Sequence, residues 1–353
     1  VSEAEIFCDK RGRLGLISLN RGTVLNALSH DMVRAIGKAL QEWARDDDIA
    51  HVAIRSLDEK AFSAGGDLKG LSESGLRAKA ENAPPPTDFF FDEYRLNHAI
   101  KTFPKPYVAL IDGIVMGGGV GVSLHGSHRV AGEKISFAMP EVGIGFFPDV
   151  GGTHLLPRLP AYAGTYLALT GARIGREDCL WAGLATHGVA GARFDEVVQA
   201  LASETDTQAV LDSFVEPGGP SQLAEDAPRI EKAFCASSVE EIVARLEAMP
   251  DWRRGQKALE AMRHKSPTSL KIALRQMRLG AGLDFAEAMR TEYRIVHRVL
   301  AGHDIYEGIR AQILDKDRAP KWRPGSLAEV SEADIDAYFA PLGDELDLPE
   351  TAR

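Results

Sequence analysis

Cysteine is scarce in this sequence: Cys8, Cys179 and Cys235 are the three present in 353 residues. Their scatter offers neither a disulfide framework nor metal-ligand spacing, so they read as reduced thiols in a cytosol-like compartment. Long apolar runs are missing too. No stretch approaches bilayer length, and the amino end, VSEAEIFCDKRGRLG, has no apolar secretory core. A cytoplasmic location is therefore expected, or a mitochondrial matrix if a leader has been removed, with no membrane partner. Positive charge is in deficit, with 41 Lys and Arg against 51 Asp and Glu and a formal net charge of −10. That argues against a nucleic-acid partner while leaving room for a small anion held by a few local cations. The glycine clusters lack the G-x-G-x-x-G of a dinucleotide loop and the Gly-Lys-Ser/Thr of a P-loop. Gly121-Val-Ser-Leu-His-Gly126 is one residue too long for the G-x-S-x-G elbow of an α/β-hydrolase serine.

What is present centres on Met139 to Arg158, MPEVGIGFFPDVGGTHLLPR. Glu141 and Asp149 stand here among Val142, Ile144, Phe146 and Phe147. A carboxylate held against such apolar surface loses hydration, which raises its pKa and makes it a usable base or nucleophile. Four glycines and three prolines in the same stretch forbid a long regular helix and shape a loop that can position chemistry.

Elsewhere, hydrophobic content of 44% and charged content of 26% fit a globular chain, and the length fits a main domain with an appended one. No internal repeat is legible, although strand and helix patterns alternate. Leu14 to Asn20 alternates as a strand, and Val33, Ile36, Leu40 and Trp43 form a helical stripe behind a Ser29 cap. A strand from His51 to Arg55 leads into Ala61-Phe-Ser-Ala-Gly-Gly-Asp67, where two flexible residues can turn amides toward a ligand and Asp67 can cap a helix. Polar, helix-compatible residues follow from Leu71 to Ala83. Asp88 to Ile100 reads as a helix with Phe89, Glu93, Leu96 and Ile100 on one side, which would set Glu93 among apolar neighbours, although by itself a glutamate on a helix face is expected to tip into water. Tyr107 to Ile111 is a third strand, and Met116-Gly-Gly-Gly-Val-Gly121 opens a short helix whose free amides favour negative charge. His125 and His128 could share a helix face, but without an acid at ligand spacing they read as a solvated or capping pair and not as a metal site. From about Pro217 the pattern turns almost wholly helical. Ser238 and Ser266-Pro267 are caps, and an acidic tail carries little that is apolar beyond Ile335, Tyr338 and Phe339.

With these pieces in place the chain resembles the enoyl-CoA hydratase/isomerase (crotonase) superfamily, and within it the 3-hydroxyisobutyryl-CoA hydrolase branch. The resemblance is carried by Ala61-Phe-Ser-Ala-Gly-Gly-Asp-Leu-Lys69, Asp92-Glu-Tyr-Arg-Leu-Asn97, Lys105 to Gly113 and Met116 to Gly121. The loop at Met139 to Arg158, Tyr306-Glu-Gly-Ile-Arg310 and Pro320-Lys-Trp322 complete it. It implies an α/β fold, a crotonase-like spiral of β-β-α repeats with a C-terminal helical domain, divided as residues 1–215 and 216–353. It also implies an acyl-CoA substrate, with CoA part of that substrate and no separate cofactor or metal. The backbone amides of Gly66 and Gly118 become the oxyanion hole, where each donor is typically worth about 3–4 kcal/mol. Ala64 matches the contact to the adenine end of CoA, with Lys69 a neighbour of its phosphates or adenine. The substrate-site acids become Glu93, Glu141 and Asp149. Glu141 would attack the thioester or act as base on water, Asp149 would orient Glu141, the water and the acyl 3-hydroxyl, and Glu93 would help hold that hydroxyl or support the groups that do.

The resemblance thus points to hydrolysis of a short branched 3-hydroxyacyl-CoA, as in valine breakdown. The alternative is an enoyl-CoA hydratase or isomerase of unknown substrate. Against it, the hydratases carry a glutamate just after the glycine run, and here that place is Gly121. A non-catalytic binding protein of the same fold is opposed by the retained glycines and acids, and RNA binding by the charge. Trimers and their dimers are common in the superfamily, so homo-oligomer formation is compatible with the resemblance.

Overall fold

The computed structural model describes residues 4–348; the extreme ends of the two expected units, 1–3 and 349–353, lie outside the described residues. Its strands are β1 (Ile6–Arg11), β2 (Leu14–Leu19), β3 (His51–Ser56), β4 (Ala61–Ser63), β5 (Tyr107–Ile111), β6 (Ile114–Met116), β7 (His128–Ala131), β8 (Ser136–Ala138) and β9 (His187–Gly188). They form a six-stranded sheet in the order β1-β2-β3-β5-β7-β9 and a three-stranded sheet in the order β4-β6-β8. β1 and β2 pair antiparallel and all other pairs are parallel. Three times in succession a strand of the larger sheet is followed within a few residues by one of the smaller sheet, and helical segments carry the chain back. This is the spiral of β-β-α units, a repeat of backbone path that leaves no repeat of residues to read.

The larger sheet is buried on both faces, which is why its inner strands read as nearly continuous apolar runs. Leu14, Leu16, Ala53, Val108 and Leu110 point to one side, against Val197, Val198 and Leu201 of the helix Phe194–Ser203. Ile17, Leu19, Ile54 and Ala109 point to the other, against Met32, Ile36, Leu40 and Trp43 of the helix His30–Ala44. Side chains of that size each contribute about 1.5–3 kcal/mol on full burial. Ser29 caps that helix as expected, its side chain accepting from Met32 N.

Beyond residue 221 the described structure is helical, with long helices at Gln222–Phe234, Pro267–Gly280 and Phe285–Ala301. Ser238 and Ser266 cap as expected, but Glu241 reaches back to Ser237 N at 2.8 Å, one residue short of a reciprocal box. The acidic tail is better packed than its composition suggests: Leu346 and Leu348, past the helix Glu332–Phe339, are buried in the main apolar cluster. The histidine expectation also needs correction. His128 lies in β7 and His125 lies before it, so the two share no helix face. His125 is a buried core residue whose Nε2 meets Val150 O at 2.6 Å.

Candidate active site

The smaller sheet sets the site. Its three strands run parallel, so their carboxyl ends emerge along one edge, the edge where parallel sheets present ligand-binding loops. β4 runs into Ala64-Gly65-Gly66-Asp67, β6 into Gly117-Gly118, and β8 into Pro140-Glu141. Positions far apart in sequence thereby become neighbours. The first loop is held by backbone bonds, Ala64 N to Leu25 O at 2.9 Å and Leu28 N to Gly65 O at 2.7 Å. Buried Asn26 anchors the partner segment, its Nδ2 donating to Ser56 Oγ at 2.7 Å and to Phe62 O at 3.1 Å.

Gly65 and Gly117 have φ of +113° and +47°, and a Cβ on Gly117 would stand 3.3 Å from Gly65 Cα. Only glycine suits both the backbone sign and the close approach, and the two loops touch as a result. The amides of Gly66 and Gly118 have no acceptor among the described residues. Two free N–H groups side by side are what a developing oxyanion requires.

The helix Asp88–Lys101 closes the opposite side, capped in space by no side chain at Thr87. Glu93 is 2% exposed, which corrects the expectation of a glutamate tipped into water and agrees with the apolar neighbours its spacing gave it. Its face packs inward because Phe90, Leu96 and Ile100 bury with it. Glu93 Oε1 is buried without a hydrogen-bond partner and lies 2.6 Å from where a Cβ on Gly118 would be. Glu141 is buried too. Its Oε2 has no partner, and its Oε1 lies 3.5 Å from where a Cβ on Gly117 would be. Asp149 accepts a hydrogen bond from Tyr94 Oη at 2.9 Å.

These three acids share a cavity of roughly 550 Å³ with Ala64, Gly66 and Gly118, walled by Phe89, Phe90 and Phe146. That volume suits a small-molecule site. Lys69 is exposed on the first turn of the helix Leu68–Ala80 and does not line the cavity.

Burial dominates the ionisation of the cluster, because a carboxylate that loses its hydration favours the neutral form. Burial holds Glu141 well above the usual range, with the Asp149 charge adding to it and the Lys265 charge opposing. Glu93 is raised by burial first and then by the charges of Asp149 and Glu292. Asp149 is pushed up to about 7 by burial, with the Tyr94 hydroxyl holding it back. An acid poised as Asp149 is can take up and return protons near neutral pH. A carboxylate with an unpartnered oxygen, sharing a cavity with two free amides, suits attack on a carbonyl, or activation of a water that attacks it. Among the described residues no group of three or more His, Cys, Asp or Glu could hold a metal ion.

Sequence reasoning missed Glu292, the fully buried carboxylate whose oxygens accept from Gly151 N and Thr153 N, both at 2.8 Å. Its signal was present: Ala288, Glu292 and Val296 follow one another at helical spacing on a buried face, where an unpaired acid is costly. Ile313 was missed as well. It reaches the cavity wall from a π-helical turn at Arg310–Leu314, and nothing local in the sequence marks that turn.

The family model described as Enoyl-CoA hydratase/isomerase matches residues 14–339. The mitochondrial 3-hydroxyisobutyryl-CoA hydrolase of Gallus gallus is 44% identical over 352 residues, covering 97% of this chain and 90% of that protein. Among solved structures, a carnitinyl-CoA dehydratase from Mycobacterium thermoresistibile is 40% identical with a TM-score of 0.93, covering 99% of this chain and 100% of that one. An enoyl-CoA hydratase from Rhodobacter sphaeroides is 39% identical with a TM-score of 0.91, covering 98% and 100%.

Proposed function

This chain belongs to the enoyl-CoA hydratase/isomerase family, and from that premise we propose that it hydrolyses 3-hydroxyisobutyryl-CoA to 3-hydroxyisobutyrate and CoA, a step of valine breakdown. The hydrolases of that name in Gallus gallus and Danio rerio, each 44% identical over nearly the whole chain, support the reading. The observation that carries it is the buried Glu141 carboxylate, its Oε2 without a hydrogen-bond partner, in one cavity with the free amides of Gly66 and Gly118.

In this reading the thioester oxygen rests on those two amides. Glu141 opens the thioester, by attacking the carbonyl carbon or by taking the proton of a water that attacks it. The carbonyl electrons move onto the oxygen and the amides stabilise them. As they return, the carbon–sulfur bond breaks and CoA leaves as its thiolate; where Glu141 itself attacked, water then cleaves the resulting anhydride and restores the Glu141 carboxylate, so that one water is consumed on either route. Asp149, held by Tyr94, orients Glu141 and the acyl hydroxyl, and Glu93, close against Gly118, receives that hydroxyl. Ala64 would meet the CoA end, and the exposed Lys69 ammonium would reach its phosphates from outside the cavity. The reaction calls on no cofactor beyond the CoA of the substrate. The mitochondrial relatives favour a matrix location over a cytoplasmic one, which cell fractionation tests.

The two solved relatives are named as a dehydratase and a hydratase, so hydration is the reading to test against. A hydratase needs one acid for the water and one for the α proton. At Gly121 a Cβ would stand 2.6 Å from Asn97 Nδ2 and 2.9 Å from Val150 Cβ, so this position has no room even for a methyl group. The deciding assay follows thiol release from 3-hydroxyisobutyryl-CoA beside absorbance loss from a short enoyl-CoA. Wild type should release thiol without hydrating the enoyl thioester, and Glu141→Gln should lower thiol release by about 10²-fold or more. Full activity in Glu141→Gln, or hydration without thiol release, would sink the proposal.

A further inference from the structure

Asp149 precedes a turn that local sequence does not stabilise. Val150 has φ of 49° and Gly151 has φ of +88°. Left-handed backbone is ordinary for the glycine, but a β-branched residue resists it and holds it only where the surroundings over-determine the conformation. Those surroundings come from three distant parts of the chain. Glu292 Oε2 accepts from Gly151 N and its Oε1 from Thr153 N, both at 2.8 Å. Gln276 Nε2 donates to Pro148 O at 2.8 Å and to Thr153 Oγ1 at 2.7 Å. The Nε2–H of His125 donates to Val150 O at 2.6 Å. All three side chains are buried, and Glu292 and Gln276 are fully so.

We propose that Glu292 is a positioning residue: its carboxylate clamps the Gly151 and Thr153 amides, keeps the Val150–Gly151 turn left-handed, and so fixes Asp149 against the Tyr94 hydroxyl. Gln276 is the second jaw of the same clamp. The two helices that bear them, Phe285–Ala301 and Pro267–Gly280, thereby shape a site whose glycine amides and three acids all come from the first half of the chain. The inference rests on the proposed role of Asp149 in thioester hydrolysis.

The choice of a carboxylate follows from the geometry. Two N–H donors face two oxygens, so an amide in place of the acid would set an NH₂ group against one of those donors. Glutamine is therefore the informative replacement. Val150→Gly supplies the rescue, because glycine accepts the left-handed turn without being clamped.

The test compares Glu292→Gln, Val150→Gly, their double variant, Gln276→Met and Asp149→Asn in the thiol-release assay. Glu292→Gln should lower kcat by roughly 10- to 100-fold with KM changed less than about threefold, the pattern of a displaced catalytic group. The double variant should regain about fivefold or more of that kcat while melting below Glu292→Gln, because it gives up the buried Val150 side chain. A role confined to stability predicts the reverse, with activity and melting temperature falling together. If Glu292→Gln does not fold, Gln276→Met should show the same loss in kcat and the same rescue by Val150→Gly. Amide hydrogen exchange gives a readout that needs no substrate: Gly151 and Thr153 should lose protection in Glu292→Gln while β2 and β3 keep theirs. Wild-type kcat in both clamp variants, failure of the rescue, or loss of protection throughout the molecule would overturn the clamp. Absence of thiol release by wild type would instead overturn the proposed function, with the exchange pattern still deciding the clamp.

Discussion

Tyr94 has its buried hydroxyl committed to Asp149 Oδ2 at 2.9 Å, and a hydrogen bond to a carboxylate favours its charged form. Asp149 is raised to about 7 in spite of that bond. A carboxylate needed in ionised form is lost as pH falls through its pKa, so thiol release should decline on the acid side of roughly pH 7. Tyr94→Phe removes the contribution that lowers the pKa and should move this acid limb upward. At pH 7 kcat/KM should fall about 3- to 10-fold, with much of it regained by pH 9. A pH profile of both proteins checks this, and an unmoved limb would dissociate Asp149 from the titration. The apolar wall of the cavity that holds Glu141 was legible from Ile144 and Phe146. The burial of Glu93 was not, because helical spacing shows which residues share a face but not what that face meets.

Among the elements, the helix Leu68–Ala80 supplies Leu68, Gly70, Leu71 and Ser74 to the cavity wall. It is seated on the helix Asp304–Ile309, most closely at Gly75. A Cβ on Gly75 would lie 2.3 Å from Tyr306 Oη, and that hydroxyl is already fixed by donating to Leu300 O at 2.7 Å. The Lys79 ammonium lies 4.1 Å from the Tyr306 ring centroid and adds a cation–π contact to the seat. Gly75→Ala should push the helix outward and loosen the wall without touching Glu141 or the two amides. The expected cost is about 1–2 kcal/mol, read as roughly a tenfold rise in KM with kcat within about threefold. Steady-state kinetics checks it, and a fall in kcat at unchanged KM would contradict this account. The sequence marks Leu71 to Ala83 as helix-compatible and no more. Its seat is a long-range contact, and spacing carries no information about that.

At the scale of the whole molecule, the division into residues 1–215 and 216–353 is a proposal about folding units. In its support, residues 217–220 are exposed and without regular structure, next to the change to helix. Yet the core runs across the boundary, with Tyr166 and Leu167 in the same apolar cluster as Phe234, Leu274 and Met289. Arg158 also donates to Gly280 O and Leu283 O, both at 2.8 Å. Limited proteolysis should therefore nick the chain near residues 217–220 and leave two fragments that co-elute on gel filtration and still release thiol. Separation of the fragments with each remaining folded would support two independent units. Degradation of the carboxyl-terminal fragment alone would argue against the boundary.

The sequence by itself determined the alternation of strands and helices, the glycine loops, and the acid-bearing stretch from Met139 to Arg158. Periodicity, capping and turn chemistry act between near neighbours, and those are printed in the order of residues. Only the tertiary structure decided that β4, β6 and β8 end on one edge, bringing Gly66, Gly118 and Glu141 together. It alone decided that Glu93 faces inward and that Glu292, 141 residues from Gly151, holds the turn after Asp149. The physical reason is the same in each case: a parallel sheet and a buried hydrogen bond join parts of the chain whose separation in sequence leaves no local trace.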